Sequence, residues 1–269
     1  MRASIKIFLS LLIVTSLFFQ SCSTVPVTER RQLILIPDSQ MLSMSFTQYD
    51  EFLKNNTVSS NSEQSSMVKK VGAKIQKAVE QYLTANGRGE ELRNYAWEFN
   101  LIESDEINAW CMPGGKVVVY TGILSIAKDE DGLAVVMGHE IAHAIAKHGS
   151  ERMSQVMIAQ AGNFILTQAM AEKPEATRNL WMGVFGAGTQ FGVILPFSRY
   201  HESEADHLGL IFMSMAGYNP QSAVEFWQRM ARIKKGQAPP EFISTHPSDE
   251  KRIREIEEKL PEAMKYFNQ

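Results

Sequence analysis

The sequence is poor in cysteine: Cys22 and Cys111 are the only two in 269 residues. If Cys22 is the processing point of an exported leader, a single thiol remains, and no internal disulfide can staple the fold. Neither sign of charge is in large excess. Lys and Arg number 27 against 30 Asp and Glu, for a formal net charge of -3. Nucleic acid is therefore not an expected partner, because no basic surplus exists to neutralise phosphates. Internal repeats are absent, and long apolar runs are scarce. The run from Ile7 to Phe19 is too short to span a bilayer as a permanent helix.

What surrounds that run is informative. Arg2 and Lys6 precede it and small polar residues follow it up to Cys22, the three-part layout of a secretory leader. The reading is a lipoprotein signal over 1–21 with acylation at Cys22, although "FFQSC" departs from the commonest lipobox. A tether over 22–37 and one domain over 38–269 would follow, with the domain in water and the acyl chains in a membrane.

Along the domain, Asp38 or Ser39 is expected to cap a helix running to about Lys54, followed by a serine-rich linker, "NNTVSSNSEQSS". Val68, Val71, Ile75, Val79 and Tyr82 recur at helical spacing from Met67 to about Leu83. The period then changes to two, with Tyr95, Trp97, Phe99 and Leu101 marking a half-buried strand. "NAWCMPGGKVVVYTGIL" predicts a strand over Lys116–Tyr120 that pairs back around Pro-Gly-Gly. Beyond Gly122 the chain reads as helical, so the expected fold is α+β, mainly helical, with a small β-sheet.

Histidine is also scarce, yet three of the six fall within "MGHEIAHAIAKHG", Met137 to Gly149. His139 and His143 are four apart and project from one helical face, away from Leu133, Met137, Ile141 and Ala144. Zinc takes neutral imidazole, and a catalytic site uses three protein ligands with one position left for water. Glu140 can take a proton from that water, so the motif holds two ligands and a base. In "SRYHESEADHLGL", Glu202 and Asp206 are likewise four apart. One carboxylate can reach the metal while the other supports it, and Asp206 can accept the second ring N–H of His139. Glu204 is assigned to the surface.

With "HEIAH" and "ESEAD" stand "PVTERRQLILIP", "KHGSERMS" and "STHPSDEKRI". Together these motifs resemble the gluzincin zinc metallopeptidases that include the CAAX prenyl protease, HtpX, BepA and LoiP, above all the short LoiP-like lipoproteins without a helical-repeat domain. The resemblance implies a zincin-type fold with the sheet beside the HExxH helix, one zinc ion, His139, His143 and Glu202 as ligands, and Glu140 as general base. It further implies that Asn108 and Ala109 pair with substrate backbone.

His246 stabilises the oxyanion, or occupies the open metal position and holds the enzyme latent, or is a plain surface histidine. His148 is expected to close the metal helix near its C-terminus, His201 and His207 to face elsewhere, and Arg199 to pair with a site carboxylate. Residues 179–198 carry no charge, but four glycines and Pro196 dilute them. They read as a helix over the cleft rather than a membrane span.

The expected function is a membrane-tethered zinc endopeptidase that degrades unfolded or misassembled envelope proteins, facing the periplasm from the bacterial outer membrane. The alternative is a zinc-stabilised chaperone or assembly factor with latent proteolysis.

Overall fold

The computed structural model describes residues 22–190, 194–233, 241–246 and 250–267. The expected leader lies outside them. The chain opens with a small hairpin, β1 (Cys22–Thr24) antiparallel to β2 (Arg31–Leu33), followed by α1 (Asp38–Asn55) and α2 (Ser62–Ala85). Strands β3 (Glu98–Ile102), β4 (Ala109–Met112) and β5 (Lys116–Tyr120) come next. Helices α3 (Thr121–Ala127), α4 (Glu130–Ile145), α5 (His148–Ala169), α6 (Glu175–Thr189), α7 (Leu195–Met215), α8 (Ser222–Ile233), α9 (Glu241–Thr245) and α10 (Glu250–Phe267) complete the order. The domain is mainly helical α+β, as expected.

The three-stranded sheet has the order β3-β5-β4, with β5 parallel to β3 and antiparallel to β4. The β4–β5 turn depends on Gly114 (φ 90°) and Gly115 (φ 82°), in a backbone region that side chains disfavour. Two helices differ at their starts from the periodicity. Helix α1 is preceded by Pro37 rather than capped by Asp38 or Ser39. Helix α2 begins inside the serine-rich stretch, because the Asn61 side chain accepts from the Gln64 N–H and caps it. The segment 22–33, expected to lie in the tether, folds against the domain. Val25 is fully buried, and the Leu35 N–H donates to Ser154 Oγ at 2.9 Å.

Helix α4 is apolar on nearly every side, so it is buried all round instead of lying at the surface. Its N-terminus is capped by Asp129, which accepts from the Gly132 N–H at 2.8 Å. Helix α7 packs along it, and α2, β4 and α8 close its other sides. Helix α6 lies against α5 with Leu180, Trp181 and Val184 exposed. Among the described residues, none of those lining the cleft described below comes from α6. Among the described residues, no helix is long and apolar enough to cross a membrane.

Candidate metal centre

His139 and His143 project from α4 toward Glu202 on α7, and His246 arrives from the turn after α9. These four residues offer ligand atoms that all lie within 4.8 Å of one another. His139 Nε2 stands 3.0 Å from His143 Nε2 and 3.4 Å from Glu202 Oε2, and His143 Nε2 stands 3.4 Å from Glu202 Oε1. Ligands about 2.0–2.1 Å from a tetrahedral zinc ion are separated by roughly 3.3–3.4 Å, so the two nitrogens and the Glu202 carboxylate, at 3.0–3.4 Å, are close to the spacing that one ion requires. His246 Nδ1 lies 2.8 Å from Glu202 Oε2 and 3.1 Å from His139 Nε2, and its Nε2 lies 3.4 Å from Glu140 Oε1.

The electrostatics favour a cation at the same point. Glu202 Oε1 and Glu140 Oε1 are buried without a hydrogen-bond partner, a costly state for carboxylate oxygens that a bound cation relieves. Burial penalises ionised Glu202, but the surrounding rings of His139, His143 and His246 outweigh it and hold the carboxyl well below the ordinary range. Burial pushes Glu140 up, and the neighbouring His246 and His139 only partly offset this. His143 is driven well down by burial and is neutral, as a metal ligand must be. His139 behaves differently: burial disfavours its charge, yet hydrogen bonds to Asp206 and Glu202 raise it to about 9. Those carboxylates call for a positive charge, which a metal ion supplies in place of the ring proton. The residues present therefore fit zinc.

Asp206 Oδ1 is 2.9 Å from His139 Nδ1, the contact expected of it. Beyond it stands a residue that sequence reasoning missed. Arg252 of α10 donates through Nε and Nη2 to the two Asp206 oxygens, both at 2.8 Å, and its Nη1 is 3.3 Å from Glu202 Oε2. The guanidinium lies 3.4 Å over the Trp227 ring, a stacked, fork-like role that arginine alone fills well. "STHPSDEKRI" contained Arg252, but only the three-dimensional packing of α10 on α7 brings it here. Arg199, expected in such a role, is exposed on α7.

Two further expectations fail. Glu204 is buried at 3 % exposure rather than on the surface. It accepts from Thr28 Oγ1, from Arg30 and from His148, so the N-terminal hairpin is what covers it. His148 does not close the metal helix. The chain breaks at Lys147, in the left-handed region at φ 55°, and His148 is the first residue of α5. Burial lowers its pKa to about 4, so it carries no charge for a helix terminus to favour. His201 is buried with Nε2 2.9 Å from Glu151 Oε2, and His207 pairs with Glu262 on the surface.

The cluster opens into a cleft of about 320 Å³, lined by Asn108, Ala109, Trp110 and Cys111 together with Glu140, His143 and His246. Strand β4 is an edge of the sheet. The Tyr120 N–H donates to the Asn108 carbonyl, so by antiparallel alternation the backbone groups of Ala109 and Cys111 face the open side. The Ala109 N–H is held by Asn108 Oδ1 at 2.9 Å.

Three relatives put this geometry in context. The chain is 42% identical over 169 residues to "Mitochondrial metalloendopeptidase OMA1" of Schizosaccharomyces pombe, covering 62% of this chain and 48% of the relative. It is 29% identical over 272 residues to "Metalloendopeptidase OMA1, mitochondrial" of Bos taurus, covering 97% of this chain and 51% of the relative. It is also 32% identical over 165 residues to "Beta-barrel assembly-enhancing protease" of Escherichia coli, covering 58% of this chain and 33% of the relative. The chain thus spans about half the length, or less, of these relatives. The mitochondrial relatives from fungi, plants and animals overturn the bacterial outer-membrane location expected from the first 22 residues. A leader with a basic start and a short apolar run does not by itself specify the membrane. The profile of Peptidase family M48 matches residues 69–260, and this chain belongs to that family, whose members are zinc-dependent metallopeptidases.

Proposed function

We propose that this chain is a zinc metalloendopeptidase that cleaves extended or unfolded polypeptide, and so acts in protein quality control. The observation that carries the reading is that an edge strand and an ionisable base line one cleft: Ala109 and Cys111 on β4 together with Glu140, His143 and His246. An edge strand binds a chain in extended form through main-chain hydrogen bonds, which a folded protein cannot supply.

His139, His143 and Glu202 would hold the ion, whose contribution when bound is Lewis acidity at the scissile carbonyl and activation of water. Glu140 takes the proton of the attacking water and returns it to the leaving amine. Burial raises its pKa above the ordinary carboxylate value, the direction that helps a base hold and then return the proton. Asp206 fixes the His139 ring with Nδ1 protonated, and Arg252 holds Asp206 ionised. His246 would hydrogen-bond the developing oxyanion once its contact with Glu202 is released.

A second reading is favoured by that same contact. With Nδ1 at 2.8 Å from Glu202, His246 can serve as a fourth ligand and hold the site latent, leaving a zinc-stabilised chaperone or assembly factor. The name of the Escherichia coli relative, which refers to assembly as well as proteolysis, fits either reading. Glu140→Gln separates them. Cleavage of unfolded casein should fall by about 10²–10⁴-fold while zinc content is kept. Casein cleavage equal to that of the unaltered protein would refute the proposed role of Glu140.

A further inference from the structure

The N-terminal hairpin reaches the metal cluster through hydrogen bonds. Arg30, just before β2, donates to Glu151 at 2.9 and 2.7 Å and to Glu204 at 3.0 and 2.9 Å. Burial opposes its charge, and the two carboxylates more than offset that. Glu204, almost fully buried, accepts from Thr28 through its other oxygen. A buried carboxylate paired to an arginine fork stays ionised and acts only as an acceptor. The contact between its Oε2 and His148 Nε2, at 3.0 Å, therefore has the imidazole as donor.

That fixes the rest of the chain of protons. A neutral imidazole has one N–H, so with it on Nε2 the Nδ1 of His148 carries a lone pair. This Nδ1 lies 2.8 Å from Nδ1 of His143. Two ring nitrogens at that distance need one proton between them, and His143 must supply it. Its Nε2 is then a lone pair, and Nε2 is the atom that faces His139 and Glu202. The opposite tautomer would put a proton where a cation has to bind. His201 stacks on His148 with centroids 4.2 Å apart and planes 13° apart, and Glu151 holds His201 at 2.9 Å. Arg30 thus anchors both the acceptor of the relay and the partner of the ring stacked on it.

We propose that Arg30, Glu204 and His148 are positioning residues that orient His143 and set its tautomer for metal binding, so that the hairpin over residues 22–33 is a working part of the metal site. The proposal rests on the reading of His143 as a zinc ligand. It gives the two histidines parallel supports. His139 leans directly on Asp206, backed by Arg252, whereas His143 leans on Glu204, backed by Arg30, through an interposed imidazole. The interposition follows from the break at Lys147, which turns the first residue of α5 back toward the end of α4.

The test uses the full chain in two measurements. Competition with a chromophoric chelator gives zinc affinity, and long-range ¹H–¹⁵N spectra of the zinc-loaded, unaltered protein give ring tautomers. His148→Leu should weaken zinc binding by about 10–100-fold, the usual effect of losing a ligand's hydrogen-bond partner. His148→Gln can still accept from His143 and donate to Glu204, so it should stay within about threefold of the unaltered protein. Glu204→Gln should fall between them. The spectra should show His148 as the neutral Nε2–H form and His143 protonated at Nδ1. Unchanged affinity in a folded His148→Leu protein, or an Nδ1–H or cationic His148, would overturn the relay. If His148→Leu does not fold, the spectra decide alone. Failure of the unaltered protein to bind zinc at all would instead remove the reading on which the relay stands.

Discussion

Gly138 on α4 and Gly209 on α7 lie so close that a Cβ on either would meet the other's backbone at 3.0 Å. This close approach lets the two helices run nearly in backbone contact, and it places His139, one residue on, 2.9 Å from Asp206 and 3.4 Å from Glu202. Gly209→Val should force the helices apart. The expected cost is about 1–3 kcal/mol in denaturant unfolding, with weaker zinc binding because the ligands separate. Normal stability together with normal zinc affinity would show that the glycine contact does not set the ligand spacing.

Arg252 should behave as a built-in counter-charge for the metal cluster. It pairs with Asp206 at 2.8 Å and approaches Glu202 at 3.3 Å while nearly inaccessible to solvent. Replacing it by Met leaves two buried carboxylates short of positive charge, a change that costs about 3–5 kcal/mol when a buried pair is broken. Saturating zinc supplies charge to the same carboxylates and should restore part of the loss. Unfolding of Arg252→Met with and without zinc is the measurement, and a loss that zinc does not reduce would contradict the shared role.

The hairpin contacts should make the metal-free protein acid-labile. The carboxyl of Glu204 is lowered from 4.5 to about 2: burial acts against this, and His148, Arg30 and Thr28 outweigh it. The stability it contributes is present above pH 4.5 and is lost as pH falls through 2. For His148, burial lowers the pKa from 6.5 to about 4, so the unfolded state takes up the proton first and stability falls between those values. Both groups act in the same direction. Chemical unfolding in the presence of a chelator should therefore show stability falling from pH 7 toward 2, by on the order of 3 kcal/mol for Glu204. Glu204→Gln should flatten the lower part of that curve, and an unchanged curve would count against the buried pairing.

Much of the site was legible because it is written in helical spacing. His139 and His143 share a face of α4, Glu202 and Asp206 share a face of α7, and the structure brings all four together. The alternation at Phe99 and Leu101 and the Pro-Gly-Gly turn likewise marked the sheet, although the parallel pairing of β3 with β5 has no local signature. The errors share a physical origin. Glu204 reads as a surface carboxylate until Arg30, 174 residues earlier, is folded over it. His148 reads as a helix end because the break is made by Lys147, a residue type that rarely adopts positive φ and gives no warning in sequence. Lys147 is tied to Asp38 at 2.6 Å, again a long-range contact. Arg252 became visible only when α10 packed against α7 and laid it on Trp227.

The central claim, that His139, His143 and Glu202 together hold one catalytic zinc, is tested most directly by metal analysis of the purified chain alongside Glu202→Gln. The unaltered protein should carry one zinc per chain and cleave unfolded casein, with both lost on chelation and regained with zinc. Glu202→Gln should remain folded but lose stoichiometric zinc and cleavage together. Stoichiometric zinc and undiminished cleavage in Glu202→Gln would contradict the account.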